Sequence, residues 1–256
     1  MGAAGVHFLY AAGPPGLRIY AIGDVHGRFD LLEEMHARIA QQIARDRPAD
    51  FRVIHVGDYV DRGPRSRDVL DFLVERTRDP RFVALAGNHD AGFLEFLARP
   101  AADGLFAAHG GAETALSYGV RADFSTDRMA RETANALLAV MPRAHLAFLE
   151  GLPRSVALGD FFFCHAGIRP GIALSAQSAD DLIWIRGPFL KHPGLHEKVV
   201  VHGHTPAGEP EIMPNRVNID TGAWMSNVLT AISVEGKRKR ILQVGVEDQR
   251  EAWTTP

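Results

Sequence analysis

The sequence predicts an α/β fold: a parallel sheet near the start, a helical insertion in the middle, and a strand-rich second half. Three observations predict it. Short β-branched or aromatic runs recur, each stopping at a Gly-containing polar cluster, as buried strands feeding functional loops should. The first three runs, at 17–23, 51–57 and 82–87, are separated by stretches of helical period. Residues 91 to about 150 are Ala-rich and broken by Pro100, Gly104, Gly110, Gly111, Gly119 and Pro142, with no motif that carries chemistry on its own.

The elements follow in order. Between the first two strands, Leu32, Met35, Ile39 and Ile43 recur at i+3 and i+4 spacing, with Asp30 placed to cap the helix. Between the second and third, Val69, Leu70, Phe72 and Leu73 supply an apolar face, and Asp79-Pro80 supplies the stop. The crossovers of this βαβαβ opening imply parallel strands. After the insertion, runs at 160–165, 198–202, 216–219, 229–234 and 240–244 read as strands of a second sheet. No internal repeat of 20–50 residues is visible.

Composition narrows the classes. With 256 residues, 46% hydrophobic and 23% charged, the chain can bury a core, which excludes disordered and low-complexity classes. A net charge of −3 removes the clustered basic excess that nucleic acid binding needs, so no nucleic acid partner is expected. The 24 Arg against 4 Lys read as a codon background. A single cysteine, Cys164, asks for no oxidising compartment. The start lacks a basic region ahead of its short apolar stretch, and Gly2 is not followed by Ser or Thr at position 6, so neither a signal peptide nor myristoylation is expected. No apolar run approaches the ~20 residues of a membrane span. A cytoplasmic protein without a membrane partner, monomeric by default, is the expectation.

Chemistry concentrates at the strand ends. The clusters are Gly23-Asp24-Val25-His26-Gly27, Gly57-Asp58-Tyr59-Val60-Asp61-Arg62-Gly63, Gly87-Asn88-His89-Asp90, Cys164-His165-Ala166-Gly167 and His202-Gly203-His204-Thr205-Pro206. Open α/β sheets bind ligands beyond the carboxyl ends of their strands, so the five can meet in one crevice. Each alone is an ordinary turn or helix start. Together they offer Asp, His, Asp, Asn, His and His, too many donors for one catalytic metal and suited to two divalent ions sharing a carboxylate.

These motifs resemble the phosphoprotein phosphatase family of the metallophosphoesterase superfamily, in particular its bacterial and lambda phage-type serine/threonine phosphatases. Ile183-Trp184-Ile185-Arg186 and the NIDTGA segment at 218–223 match that branch. The resemblance spans residues 23–223 and implies a four-layer αββα sandwich, hence a single catalytic domain over 1–256 with the helical insertion at about 91–150. It implies Asp24 and His26 as ligands of a first metal, Asp58 as the bridging carboxylate, and Asn88, His165 and His204 as ligands of a second. Arg62 and Arg186, with Asn88, would hold the phosphate. His89 would be the catalytic acid, oriented by Asp61. Two divalent ions are implied, Mn²⁺ preferred, with Fe, Zn or Mg accepted by the same oxygen and imidazole donors. The reaction implied is direct attack by a hydroxide bridging the two ions, with no covalent phosphoenzyme. A carboxylate beside an imidazole raises its pKa, as an acid that protonates an alkoxide requires.

Cys164 to Arg169 imitates a cysteine-phosphatase loop but is one residue short, and Cys164 is read as a buried strand residue with no catalytic role. His202, two residues from His204, would point to the same side in an extended chain and back up the site. Trp184 is read as core rather than as a stacking surface, and the histidines at 7, 36, 55, 109, 145, 192 and 196 as surface or packing residues. Two departures stand out: Ala86 replaces an Arg found in many members, and Asp90 replaces Glu.

The leading expectation is a phosphomonoesterase acting on phosphoserine or phosphothreonine proteins, with phosphotyrosine and small aryl phosphates as further substrates. The alternative is a dinucleoside polyphosphate hydrolase of the diadenosine tetraphosphate type, from which Asp61 and the intact GHTP at 203–206 point away. A metallophosphodiesterase would need a histidine where Pro206 stands, and a non-catalytic metal-binding adaptor would have lost a ligand or the acid.

Overall fold

The computed structural model describes residues 5–245 and the strand Glu251–Thr254; Gly2 lies outside the described residues. The chain runs β1 (Leu17–Ile22), α1 (Phe29–Asp46), β2 (Asp50–His55), α2 (Ser66–Arg76) and β3 (Phe82–Ala84). Five helices follow: α3 (Asn88–Ala98), α4 (Leu105–Ala108), α5 (Gly111–Ser117), α6 (Asp127–Val140) and α7 (Arg143–Glu150). Then come β4 (Ser155–Leu158), β5 (Phe161–Cys164), α8 (Ala179–Trp184), α9 (Gly187–Leu190), β6 (Val199–His202), β7 (Glu211–Ile212), β8 (Arg216–Asn218), α10 (Ala223–Ser226), β9 (Leu229–Glu235), β10 (Arg238–Val244) and β11 (Glu251–Thr254).

Two mixed sheets result, ordered β11-β10-β9-β1-β2-β3 and β4-β5-β6-β8-β7. Within each, the three strands that lead to the polar clusters are parallel: β1, β2 and β3 in one, β5, β6 and β8 in the other. The expected second sheet therefore needs correction. The runs near 229–234 and 240–244 belong to the first sheet, β9 lying antiparallel to β1 with Ile19 opposite Val234. Strand period says which residues share a face and nothing about which sheet supplies the edge.

Alternation along the strands builds four layers. Ile19, Ala21, Ile54 and Val56 from the first sheet meet Phe161, Phe163, Val199, Val201 and Val217 from the second in a buried core between the sheets. Tyr20, Ile22 and Val53 point the other way and cover Leu31, Met35 and Ile39 of α1. Phe162, Cys164 and Val200 pack on Leu182, Ile185 and Phe189 beneath α8 and α9. Truncating a fully buried ring such as Phe163 to Ala would cost roughly 3–5 kcal/mol. The insertion helices pack on α2 and on Val25, Tyr59 and Val60, so they are tied to the loops after β1 and β2.

Local corrections concern helix ends. Asp30 does not cap α1; it sits in the first turn, accepting from Arg28 at 2.9 and 2.6 Å, where its charge favours the helix N-terminus. The α2 helix stops at Arg76, and Asp79 instead pairs with Arg81 beyond it. The insertion is helical as expected, but its first helix starts at Asn88, so the third motif is itself a helix N-terminus. Among the described residues no helix is long and apolar enough to cross a membrane.

Candidate active site

Because the motif-bearing strands are parallel within each sheet, their carboxyl ends gather at one edge of the sandwich. Asp24 and His26 follow β1, Asp58 follows β2, His165 follows β5, and His204 follows β6. Seven non-glycine residues among those described have positive φ, and five of them are here: His26, Asp58, Asp61, Arg62 and His204. Left-handed backbone is costly for such residues, of order 1–3 kcal/mol each, and persists where surrounding contacts over-determine it. Two glycines let the chains approach. A Cβ at Gly87 would overlap the Asp58 carboxylate, and one at Gly203 the Asp24 carboxylate.

Asp58 lies at the centre. Its Oδ2 is 3.4 Å from His26 Nε2 and 3.4 Å from His165 Nε2. Two donors each about 2.1 Å from a shared cation would stand about this far apart. His26 Nδ1 donates to the Val60 carbonyl (2.8 Å) and His165 Nδ1 to the Val56 carbonyl (3.1 Å), which turns both Nε2 lone pairs toward Asp58. Such outer hydrogen bonds fix the tautomer of metal-ligating histidines. Asn88 Oδ1 stands 2.9 Å from His165 Nε2 and 2.7 Å from His204 Nδ1. Two groups of neighbouring donors share Asp58: Asp24 with His165, and His26 with His89, of which His89 is engaged by Asp61 instead.

Charge and burial test whether cations fit. Asp24, Asp58 and Asp220 are all nearly inaccessible. Burial, then repulsion from Asp220 and Asp58, raises the Asp24 carboxyl well above its usual range. Its Oδ1 is buried without a hydrogen-bond partner among the described residues, although Oδ2 accepts from the His204 amide at 3.0 Å. An orphaned buried carboxylate oxygen is costly unless a cation completes it. Burial also lowers His26 to about 3 and His204 to about 2, keeping both imidazoles neutral and able to ligate. The residues fit a dimetal site.

Beside this cluster stands a proton-holding pair. His89 Nδ1 is 2.7 Å from Asp61 Oδ2. Burial disfavours the imidazolium, but Asp58 and Asp61 outweigh it and the His89 pKa is raised. Burial also lifts Asp61 to about 6, so the two hold one proton between them near neutral pH. Thr114 of α5 clamps Asp61, its Oγ1 accepting from the Asp61 amide (2.8 Å) and donating to Asp61 Oδ1 (3.0 Å). Arg62 reaches His89 Nε2 at 3.1 Å, and Arg186 Nε donates to His204 Nε2 at 2.9 Å. All eight residues named from the motifs therefore gather here together with both arginines.

Several sequence readings change. Trp184 is 45% exposed at the end of a short helix, not core. His204 leaves extended geometry at φ 70°, so His202 does not share its face and packs edge-on against Phe189 instead. Cys164 is fully buried, its thiol pushed up by burial. Asp90 accepts from the amides of Asp58 (2.8 Å), Tyr59 (2.9 Å) and Gly87 (2.9 Å), splinting two motif loops together. Asp220 received no role from the sequence, although it too follows a strand end. Thr114 had no local signal at all.

A calcineurin-like phosphoesterase profile matches residues 17–221. The asymmetrical bis(5'-nucleosyl)-tetraphosphatase PrpE of Anoxybacillus flavithermus is 30% identical over 232 residues, which are 82% of this chain and 88% of that protein. A solved structure provisionally described as a diadenosine tetraphosphatase aligns with TM-score 0.63 and 18% identity, over 93% of this chain and 100% of its own. A cold-active protein tyrosine phosphatase aligns with TM-score 0.59 and 16% identity, over 94% and 81%. At such identities the two structures speak to the fold alone. These findings support the superfamily without carrying the narrower assignment to serine/threonine protein phosphatases. With the sandwich, the candidate dimetal cluster and the match over 17–221 in agreement, the chain belongs to the calcineurin-like phosphoesterase family and is a hydrolase of the metallophosphoesterase type.

Proposed function

We propose that this protein hydrolyses dinucleoside tetraphosphates asymmetrically, to a nucleoside triphosphate and a nucleoside monophosphate. The observation that carries the reading is the 30% identical relative covering 82% of the chain, itself a bis(5'-nucleosyl)-tetraphosphatase. It reverses the order of the two readings drawn from the motifs: Asp61 and GHTP, which point away from this substrate, do not outweigh a relationship running through most of the chain.

In this reading one catalytic domain spans the chain. Asp24, His26, Asp58, Asn88, His165 and His204 hold two divalent ions, with Mn²⁺ the first ion to assay. When bound, such ions supply Lewis-acid charge at the phosphoryl oxygens and make the attacking water acidic. The Arg62 and Arg186 guanidinium forks grip non-bridging oxygens and stay charged at any working pH. Water's oxygen bonds to phosphorus, one P–O–P link breaks, and the departing phosphate oxygen receives a proton from His89, whose orientation Asp61 and Thr114 maintain.

A second reading, hydrolysis of phosphoserine or phosphothreonine esters, is favoured by the His89–Asp61 pair, because an alkoxide needs protonation more than a phosphate does. Turnover of diadenosine tetraphosphate and of a phosphothreonine peptide should be compared in the Mn²⁺-loaded enzyme, with nucleotide products resolved by chromatography. The proposal expects ATP and AMP in equal amounts and a higher kcat/KM for the dinucleotide. A higher value for the peptide would reverse the two readings, and two ADP as products would overturn the asymmetric cleavage.

A further inference from the structure

Both tryptophans whose side chains are described lie at the candidate active site, and both are exposed: Trp184 at 45% and Trp224 at 39%. Each neighbours a different member of the cluster around Asp58: Trp184 lies beside His204, and Trp224 beside Arg62. The Trp184 ring is 6.2 Å from the His204 ring at 86°, and His204 is the imidazole bonded to Arg186. The Arg62 guanidinium lies 5.0 Å from the centre of the Trp224 ring and reaches His89. Each phosphate-gripping arginine is thus accompanied by one solvent-facing indole.

We propose that Trp184 and Trp224 are nucleobase platforms, one for each base of a dinucleoside polyphosphate. The inference rests on the function proposed above and names the groups that would recognise the two ends of that substrate. Its physical basis is that a base presents an apolar π-face to an indole while the attached phosphates need cations, so an aromatic and an arginine side by side match a nucleotide and not a phosphopeptide backbone. Both rings stand on fixed backbone. Ile183 and Ile185, on either side of Trp184, are buried. The segment carrying Trp224 is pinned by Arg28, which donates to the Ala223 carbonyl at 2.9 Å and bonds the Asn227 side chain at 2.5 Å. Platforms held in place lose little entropy when a base stacks on them.

The test uses the full-length Mn²⁺-loaded enzyme with Trp184→Ala, Trp224→Ala and the corresponding Phe substitutions, and Tyr10→Ala, a 72% exposed aromatic outside the cluster, as control. The KM for diadenosine tetraphosphate should rise roughly tenfold in each Ala variant while kcat changes much less, and Phe should restore most of the loss. Competitive inhibition supplies a second readout. The wild-type preference for ATP over base-free tripolyphosphate should shrink in both Ala variants and persist in Tyr10→Ala. Wild-type hydrolysis of the dinucleotide with KM and inhibitor preference unchanged in both Ala variants would overturn the platforms and leave the proposed function standing. Wild-type enzyme that cleaves phosphopeptides but no dinucleoside tetraphosphate would overturn the proposed function, and the platforms with it.

Discussion

Two buried pairs that contain histidine, His36 with His55 and His89 with Asp61, hold their protons differently. His55, the last residue of β2, meets His36 of α1 at 2.9 Å between their Nε2 atoms, the rings stacked at 12° with Phe72 and Phe82 alongside. No carboxylate faces them in that contact. Burial and mutual repulsion lower His36 to about 2, and burial lowers His55 to about 4. In the loop after the same strand, Asp61 grips His89 and the imidazole pKa goes up instead. Burial alone strips the proton from an imidazole; a carboxylate buried with it keeps the proton in place, and that is the condition for a general acid.

The contrast can be broken at several points. The largest effect is expected from Asp58→Asn, which removes the carboxylate shared by both ligand groups. Elemental analysis should find metal lost, and hydrolysis should fall by more than any acid–base variant lowers it. His89→Asn should retain metal but lose turnover, by roughly 100-fold or more on an alkyl phosphate whose leaving group needs the proton, and by less on a phosphoanhydride. Equal losses on both substrates would argue against a proton-donating role.

Thr114→Val keeps the shape of the side chain but leaves the Asp61 amide and Oδ1 without their partner. About 1–3 kcal/mol of stability should disappear, visible as a lower melting temperature, and kcat should drop with it. An unchanged melting temperature would mean that water replaces the hydroxyl.

The smallest effect concerns the other pair. Both histidines have folded pKa values below the unfolded value of about 6.5, so the folded state binds fewer protons, and the associated stability is complete above pH ~6.5 and lost as pH falls, down to about 4 for His55 and about 2 for His36. Replacing both with Leu should flatten the fall in chemical stability between pH 7 and 5, each histidine contributing at most about 1.4 kcal/mol per pH unit. A slope that the double variant leaves unaltered would place the acid sensitivity elsewhere.

Much of the candidate site was legible because its residues travel in short local motifs. A strand must end in a turn, and turns that feed a ligand cluster repeat the same residue types, so Asp24, His26, Asp58, Asn88, His165 and His204 could be named without coordinates. Residues reached only through packing were not legible. Thr114 lies 53 positions from Asp61 and sits in no pattern, and Trp224 gains its meaning from Arg62 above its ring. Substrate class is not legible in the motifs for a related reason. The motifs encode the handling of a phosphoryl group, which esters and anhydrides share, while the surfaces that would read the rest of a substrate lie outside them.

The sequence by itself determined the α/β class, the parallel opening, the helical insertion and the candidate ligand types, because strand and helix periods and strand-end motifs are properties of neighbouring residues. Tertiary structure decided that β9 and β10 complete the first sheet, that His202 turns toward Phe189, that the insertion clamps the acid pair, and which buried imidazoles keep a proton. Each of these depends on which group lies opposite across space, and the free energy of a buried charge or of an unpaired strand edge is set by that opposite group rather than by the residue's neighbours in the chain.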